Sequence, residues 1–110
     1  MGNRGSDSKR RALKRRLEAV EDTCWLCGYA LRPDAEPMTD YATEVDEEIP
    51  ASLGGDVYGV RTPCHLVHRC CNNEKSGRIL PQFALSEWFE ENHMTRESYQ
   101  AKELPGFWVL

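Results

Sequence analysis

Four potential metal ligands occur in this sequence as two pairs with the same spacing. Cys24 and Cys27 are separated by two residues, and His68 and Cys71 repeat that interval further along the chain. Two ligands at this spacing in a tight turn suit two corners of a tetrahedral zinc site, and three Cys with one His is a recognised structural set. A shared ion would contribute folding free energy on the order of 10 kcal/mol. We therefore predict a structural zinc ion held by these four residues.

The remaining cysteines leave two other ligand assignments open. Cys70 could replace Cys71, or Cys64 could replace His68, although matched spacing favours the pair His68 and Cys71. Five cysteines are an odd number, which fits metal ligands with spares better than a disulfide framework. No apolar run is long enough for a membrane span or a secretory signal. We expect a reducing, cytoplasmic setting with no membrane partner.

The length of 110 residues is that of one small domain, whose core often needs a metal or disulfides for stability. We predict a disordered leader over residues 1–8 and a single domain over 9–110. That domain is divided into a basic helix (9–22), a zinc-bound core (24–80), and a C-terminal helix with an apolar tail (81–110). Ala12, Leu13, Leu17 and Val20 recur at helical spacing in the first helix. A strand is expected over Tyr41–Val45, and a helix from about Asn72.

Charge is distributed unevenly along the chain. Residues 1–20 have a net charge of +5, and the other ninety have a net charge of −9. Basic side chains that neutralise phosphates release counterions and strengthen DNA binding. The candidate DNA contacts in this arm are Lys9, Arg10, Arg11, Lys14, Arg15 and Arg16. The alternative is a solvated arm that only aids solubility.

Two segments then resemble the signature of the HNH endonuclease family. Residues 45–55 (VDEEIPASLGG) are similar to its Asp-His pair followed by an apolar residue, Pro and a Gly-Gly turn. Residues 71–77 (CNNEKSG) are similar to its closing Cys, His or Asn, two residues, and a basic residue. With the two ligand pairs, residues 24–77 resemble the zinc-stabilised branch found in phages and bacteria. The implied fold is a small α+β domain with a ββα-metal motif, flanked by N-terminal and C-terminal helices.

The resemblance also implies an activity. Members hydrolyse phosphodiester bonds of DNA with one divalent cation, which Asp46 and Asn72 would ligate here. Carboxylate and amide oxygens suit Mg²⁺. Lys75 would approach a phosphate oxygen, or else it decorates the helix surface. If the protein is phage-encoded, the expected setting is the bacterial host cytoplasm, with terminase or another packaging protein as a partner.

The sequence departs from the family pattern at two positions. Glu47 stands where the family has its catalytic His, and a carboxylate is the weaker base at neutral pH. Glu47 could act as the base or enter the cation's coordination, and His65 is a second candidate base. The family's central Asn is replaced by Pro63, so the loop 56–63 is either braced differently or looser. The alternative function is a catalytically weak or inactive zinc-bound module that binds nucleic acid or protein.

Overall fold

The computed structural model describes residues 3–94, with side chains from Ser8 onward. This part of the chain is a small α+β structure of three α-helices and a two-stranded antiparallel sheet, as predicted. Its elements in chain order are α1 (Asn3–Glu18), β1 (Thr43–Glu47), a 3-10 turn (Ala51–Leu53), β2 (Cys64–His68), α2 (Arg69–Lys75) and α3 (Ser86–His93). None of these helices is both long and apolar enough to span a membrane. The predicted apolar tail, residues 104–110, lies outside the described residues.

Helix α1 differs from its prediction at both ends. It begins at Asn3, inside the stretch 1–8 that was predicted as a disordered leader, and six residues before the predicted start at Lys9. Leu13 is buried, and Arg10 is bonded to the rest of the domain, so the middle of α1 is held in place. Once such a helix has formed, each further residue added at its end gains one backbone hydrogen bond. The helix ends at Glu18 rather than at 22, and Val20, predicted on its apolar face, is 77% exposed.

The two strands and α2 form one continuous unit. Strand β1 pairs with β2 in an antiparallel register that sets Thr43 opposite His68 and Asp46 opposite His65. Helix α2 follows β2 without a loop, since His68 is extended and Arg69 is already helical. Strand β1 extends to Glu47, past its predicted end at Val45. Helix α2 begins at Arg69, before its predicted start at Asn72.

Helix α3 is attached to the turn that carries Cys24 and Cys27. The backbone amides of Phe83 and Leu85 donate to the carbonyls of Trp25 and Leu26, at 2.9 and 2.8 Å. Ser86, the first residue of α3, donates its hydroxyl to the Cys27 carbonyl at 2.7 Å. Helix α3 thus bonds directly to one of the two metal-ligand pairs.

The core also contains a stack of aromatic rings. The Phe89 ring is fully buried between the imidazoles of His68 and His93, with ring centroids 5.0 and 5.1 Å away. Leu26, Leu66 and Val67 complete the buried cluster beside it. Helix α3 therefore packs its most buried side chain directly against one of the predicted zinc ligands.

The connection between the strands makes a tight turn that requires glycine. Gly55 donates its amide to the Pro50 carbonyl at 3.0 Å, and a Cβ on Gly55 would lie only 1.6 Å from the Ile49 carbonyl oxygen. Any side chain at this position would force the backbone apart. The Pro and Gly-Gly positions of the sequence motif thus belong to one folded-back turn.

Asp56 braces the loop 56–63. Its carboxylate accepts backbone amides of Tyr58, Val60 and Arg61 at 2.8–3.0 Å, and its own amide donates to the Thr62 hydroxyl at 2.8 Å. These hydrogen bonds, chiefly those from Arg61 and Tyr58, lower the pKa of the Asp56 carboxyl. The loop is therefore braced through Asp56, and not through Pro63, which has no polar side chain.

Candidate metal centre and acidic site

The four predicted zinc ligands form a buried cluster. The Sγ atoms of Cys24, Cys27 and Cys71 and a ring nitrogen of His68 all lie within 4.8 Å of one another. Nδ1 of His68 is 3.4 Å from the Cys27 sulfur and 3.9 Å from the Cys71 sulfur. Tetrahedral zinc, with bonds of about 2.0–2.3 Å, needs ligand atoms about 3.5–3.8 Å apart. The predicted Cys3His group is confirmed as a cluster that could bind a metal ion such as zinc.

The two alternative ligands lie outside this cluster. Among the described residues the cluster contains neither Cys64 nor Cys70. Cys64 instead donates its thiol to the Asp56 carbonyl at 3.4 Å, and so belongs to the loop after the Gly-Gly turn. The matched spacing of the two pairs thus identified the correct set.

Backbone hydrogen bonds orient the ligands. Gly28 adopts a φ of 85°, which lets its amide turn back to the Cys24 carbonyl at 2.8 Å. Nε2 of His68 donates to the Ala30 carbonyl at 2.8 Å, so Nδ1 is the nitrogen that faces the sulfurs. When a ligating His donates a hydrogen bond from its other ring nitrogen to a carbonyl, that bond fixes both the orientation of the ring and its tautomer.

The thiols of the cluster differ in how readily they ionise. Burial opposes ionisation of Cys24, but hydrogen bonds from Cys27, Cys71 and His68 together hold its pKa well below the usual value. Burial raises the pKa of Cys27, and the hydrogen bond to Cys24 raises that of Cys71. Metal binding by all three sulfurs would therefore release protons.

The predicted cation ligand Asp46 forms a buried ion pair with Lys75. Nζ of Lys75 donates to Oδ2 of Asp46 at 2.7 Å and to the Glu47 carbonyl at 2.6 Å. Burial raises the pKa of Asp46, and the hydrogen bond from Lys75 partly offsets that rise. Lys75 is only 1% exposed, so the alternative that it decorates the helix surface is wrong, while its contact with a phosphate stays a prediction.

The second predicted cation ligand, Asn72, contacts a different residue of β1. Its side-chain amide nitrogen donates to Glu44 at 3.0 Å, and Arg69 donates to the other carboxylate oxygen of Glu44 at 2.8 Å. Asp46 and Asn72 thus lie on facing elements but bond to separate partners. In the described chain, the Cys3His cluster is the only group of three or more His, Cys, Asp or Glu positioned for a metal.

Glu47, predicted as a candidate base, is held by the basic helix. Arg10 donates to the Glu47 carboxylate at 2.7 Å, to the Val45 carbonyl at 3.2 Å, and to the Val57 carbonyl. Arg10 was predicted as a DNA contact, but here it ties α1 to β1 and the following loop. Arg10 lies three residues before Leu13 and seven before Leu17, so the helical periodicity places it on the inner face of α1. That spacing could have predicted a contact with the rest of the domain.

His65, the second candidate base, has both ring nitrogens bonded to carboxylates. Nε2 lies 2.7 Å from Glu48 and Nδ1 lies 3.1 Å from Glu21, while the ring stacks on Trp25 at 4.5 Å. Glu21 also accepts the Leu66 amide at 2.8 Å. This ring joins the segment after α1 to the segment that follows β1.

From Ser8 onward, where side chains are described, the other basic residues of α1 remain on the surface. Lys14 is half-buried, and the rest are exposed, namely Lys9, Arg11, Arg15 and Arg16. Nζ of Lys9 lies 5.4 Å from the centre of the Tyr58 ring, beside the loop braced by Asp56. The positive charge of the arm is therefore concentrated on the outer face of α1. This helix is anchored through Arg10 to the acidic site, the group formed by Asp46, Glu47 and Asn72.

A groove of about 700 Å³ opens on another part of the surface. Its apolar lining includes Leu31, Pro33 and Met38, and β1 contributes Thr43. The Thr43 hydroxyl is buried, and no other described residue forms a hydrogen bond with it. This groove adjoins β1 but contains neither Asp46 nor Asn72.

No family model, curated protein or solved structure matches this chain. Its function is therefore inferred from its residues and their geometry.

Proposed function

We propose that this protein is a zinc-stabilised DNA endonuclease or nickase of the HNH type. The proposal rests mainly on one observation, that α2 follows β2 without a loop. This continuous segment contains two of the metal ligands and one candidate catalytic residue. His68 ends β2 and Cys71 lies in α2, so one metal ion would clamp the junction of strand and helix. Asn72 follows Cys71 directly and faces β1, where Asp46 and Glu47 lie. The metal cluster therefore holds in place the elements that the HNH resemblance assigns to catalysis.

The donor atoms at this site suit a hard divalent cation such as Mg²⁺. Asp46 offers carboxylate oxygens, and Asn72 offers its amide oxygen because its amide nitrogen is turned to Glu44. A cation held there would neutralise charge on the scissile phosphate and stabilise the leaving oxygen. In this structure one carboxylate oxygen of Asp46 accepts a hydrogen bond from the Lys75 ammonium.

The protein's own residues have separate tasks in this proposal. Glu47 is the base for the attacking water, and Arg10 fixes the direction of its carboxylate. The exposed basic face of α1 holds the DNA backbone next to that carboxylate. Since the rest of the chain is acidic, a partner such as a phage packaging protein would help to deliver DNA.

Plasmid nicking tests the proposal. Zinc-loaded protein is incubated with supercoiled plasmid and added Mg²⁺, Mn²⁺ or Ni²⁺. The blank contains no added divalent ion, because a chelator would also remove zinc. We expect cation-dependent nicking that falls at least about a hundredfold in Asp46→Ala, Glu47→Ala and Asn72→Ala, on the scale of acid–base and metal contributions. Asp34→Ala, an exposed acid in another loop, is the matched control. Nicking that survives all three substitutions would refute the proposal.

The basic face of α1 gives a second test. Replacing Arg11, Arg15 and Arg16 by Gln should reduce the salt dependence of DNA binding, by about 0.9 in the log–log slope for each phosphate that the protein no longer neutralises. These residues are exposed, so folding should be retained, which far-ultraviolet circular dichroism would check. An unchanged slope, measured by gel shift over a range of salt, would assign the arm to solubility.

The second candidate function is a zinc-bound module that binds nucleic acid or protein without cleavage. Two observations favour it, namely the pairing of Asp46 and Glu47 with basic side chains and the apolar groove beside β1. DNA binding without nicking, under every cation tested, would support this module.

A further inference from the structure

The ion pair of Lys75 and Asp46 differs from the other ion pairs in its burial. Its two side chains are 2% and 11% exposed, whereas those of Arg10 and Glu47 are 33% and 18% exposed. A lysine is rarely this buried unless it is paired, because an ammonium loses strong hydration there. The pair therefore occupies a site that favours a positive charge.

The surroundings of Nζ resemble those of a small bound cation. Two oxygens lie at 2.6 and 2.7 Å, one from the Glu47 carbonyl and one from the Asp46 carboxylate. Carbonyl and carboxylate oxygens are also the donors that hard metal ions prefer. Asn72 lies three residues before Lys75 in α2, on the same face of that helix. The ammonium thus occupies the acidic end of the site proposed above for a divalent cation.

We propose that Lys75 is the resident counter-ion of Asp46 and that a divalent cation binds there only by displacing its ammonium. Lys75 would then set the affinity of the site for divalent ions. The proposal rests on the function proposed above for the assignment of Asp46 and Asn72 as cation donors. Two positive charges that share one buried carboxylate repel strongly. The flexible four-carbon stem of lysine lets Nζ leave Asp46 without a shift of α2.

Substitution of Lys75 by Met tests the proposal, since Met has similar length and no charge. Mn²⁺ is titrated into zinc-loaded protein, and free Mn²⁺ is followed by electron paramagnetic resonance. We expect Lys75→Met to bind Mn²⁺ at least about tenfold more tightly than wild type, given the repulsion removed. Lys14→Met, on α1, should leave the affinity unchanged. Adding Asp46→Asn to Lys75→Met should abolish the gain. A folded Lys75→Met protein with the affinity of wild type would overturn the proposal.

Chemical modification of the wild-type protein provides a test that needs no folded variant. Acetic anhydride should modify the exposed Lys9 readily and leave Lys75 protected, as read by mass spectrometry of peptides. Saturating Mg²⁺ should then raise the modification of Lys75, because its ammonium has left Asp46. Protection of Lys75 that persists while Asp46-dependent Mn²⁺ binding is saturated would show that ammonium and cation coexist, and would overturn the proposal.

The two proposals can fail separately. Tighter Mn²⁺ binding in Lys75→Met without nicking by any variant would support the role of Lys75 and refute the endonuclease. Cation-dependent nicking by wild type with unchanged Mn²⁺ affinity in Lys75→Met would do the reverse.

Discussion

The Cys3His cluster and the acidic site on β1 and α2 were both predicted as metal sites, and they differ in what surrounds their ligands. In the cluster, three sulfurs and one imidazole nitrogen face one another within 4.8 Å. At the acidic site, Asp46 is bonded to Lys75, Asn72 to Glu44, and Glu47 to Arg10. Sulfur ligands select soft or borderline metals, whereas a carboxylate accepts any nearby cation, including a side chain. A carboxylate motif in sequence therefore says less about metal binding than a cysteine motif does.

The largest expected effect comes from removing one sulfur of the cluster. Cys24→Ser should lose zinc and with it folding free energy on the order of 10 kcal/mol, leaving an unfolded or aggregating protein. Native mass spectrometry should find one zinc per wild-type chain and none in the variant. Cys64→Ser is the matched control, a buried cysteine outside the cluster that should keep its zinc. A folded, metal-free Cys24→Ser protein would remove the distinction between the two sites.

A smaller effect is expected from the acidic site. Asp46→Asn leaves the Lys75 ammonium buried without its counter-charge, which should cost about 3 kcal/mol. Urea unfolding of zinc-loaded protein measures this change, and zinc content should stay at one per chain. Asp34→Asn, at an exposed position, should have almost no effect. Loss of zinc from Asp46→Asn would show that the two sites are not independent.

The Gly-Gly turn offers a third comparison, between two neighbouring glycines. Gly55→Ala would place its Cβ 1.6 Å from the Ile49 carbonyl oxygen and should cost at least about 3 kcal/mol as the backbone shifts. Gly54 has open space around it but a φ of 96°, so Gly54→Ala should cost only about 1 kcal/mol. Thermal unfolding would rank the two variants. Equal losses would show that the turn relaxes freely.

The smallest effect concerns Asp56 and depends on pH. Its pKa is lower in the folded protein than in the unfolded chain, so its stabilising effect is complete above the unfolded value and disappears as pH falls through the folded value. The difference in free energy of unfolding between wild type and Asp56→Asn should therefore shrink on acidification. Protonation of the zinc ligands affects both proteins alike and cancels in that difference. A constant difference across the acidic range would contradict this role of Asp56.

Several predictions from sequence were correct because they depend on local chemistry. The spacing of Cys24, Cys27, His68 and Cys71 identified the cluster, and Pro50 with Gly55 marked a real turn. The structure adds most for long side chains whose partners lie far along the chain. Arg10 and Lys75 were both expected at a DNA surface, yet each bonds to the end of β1. A long basic side chain can reach solvent or a buried carboxylate, and residue type does not distinguish the two.

The sequence by itself determined the metal cluster, the α+β class and the tight turn, because ligand spacing and glycine geometry are properties of short segments. Only the tertiary structure decided which charges neutralise one another at the acidic site. That outcome depends on the register of β1 with β2 and on the direction in which α2 leaves His68. Since ion pairing falls off steeply outside contact distance, such pairs appear only when distant segments are brought together.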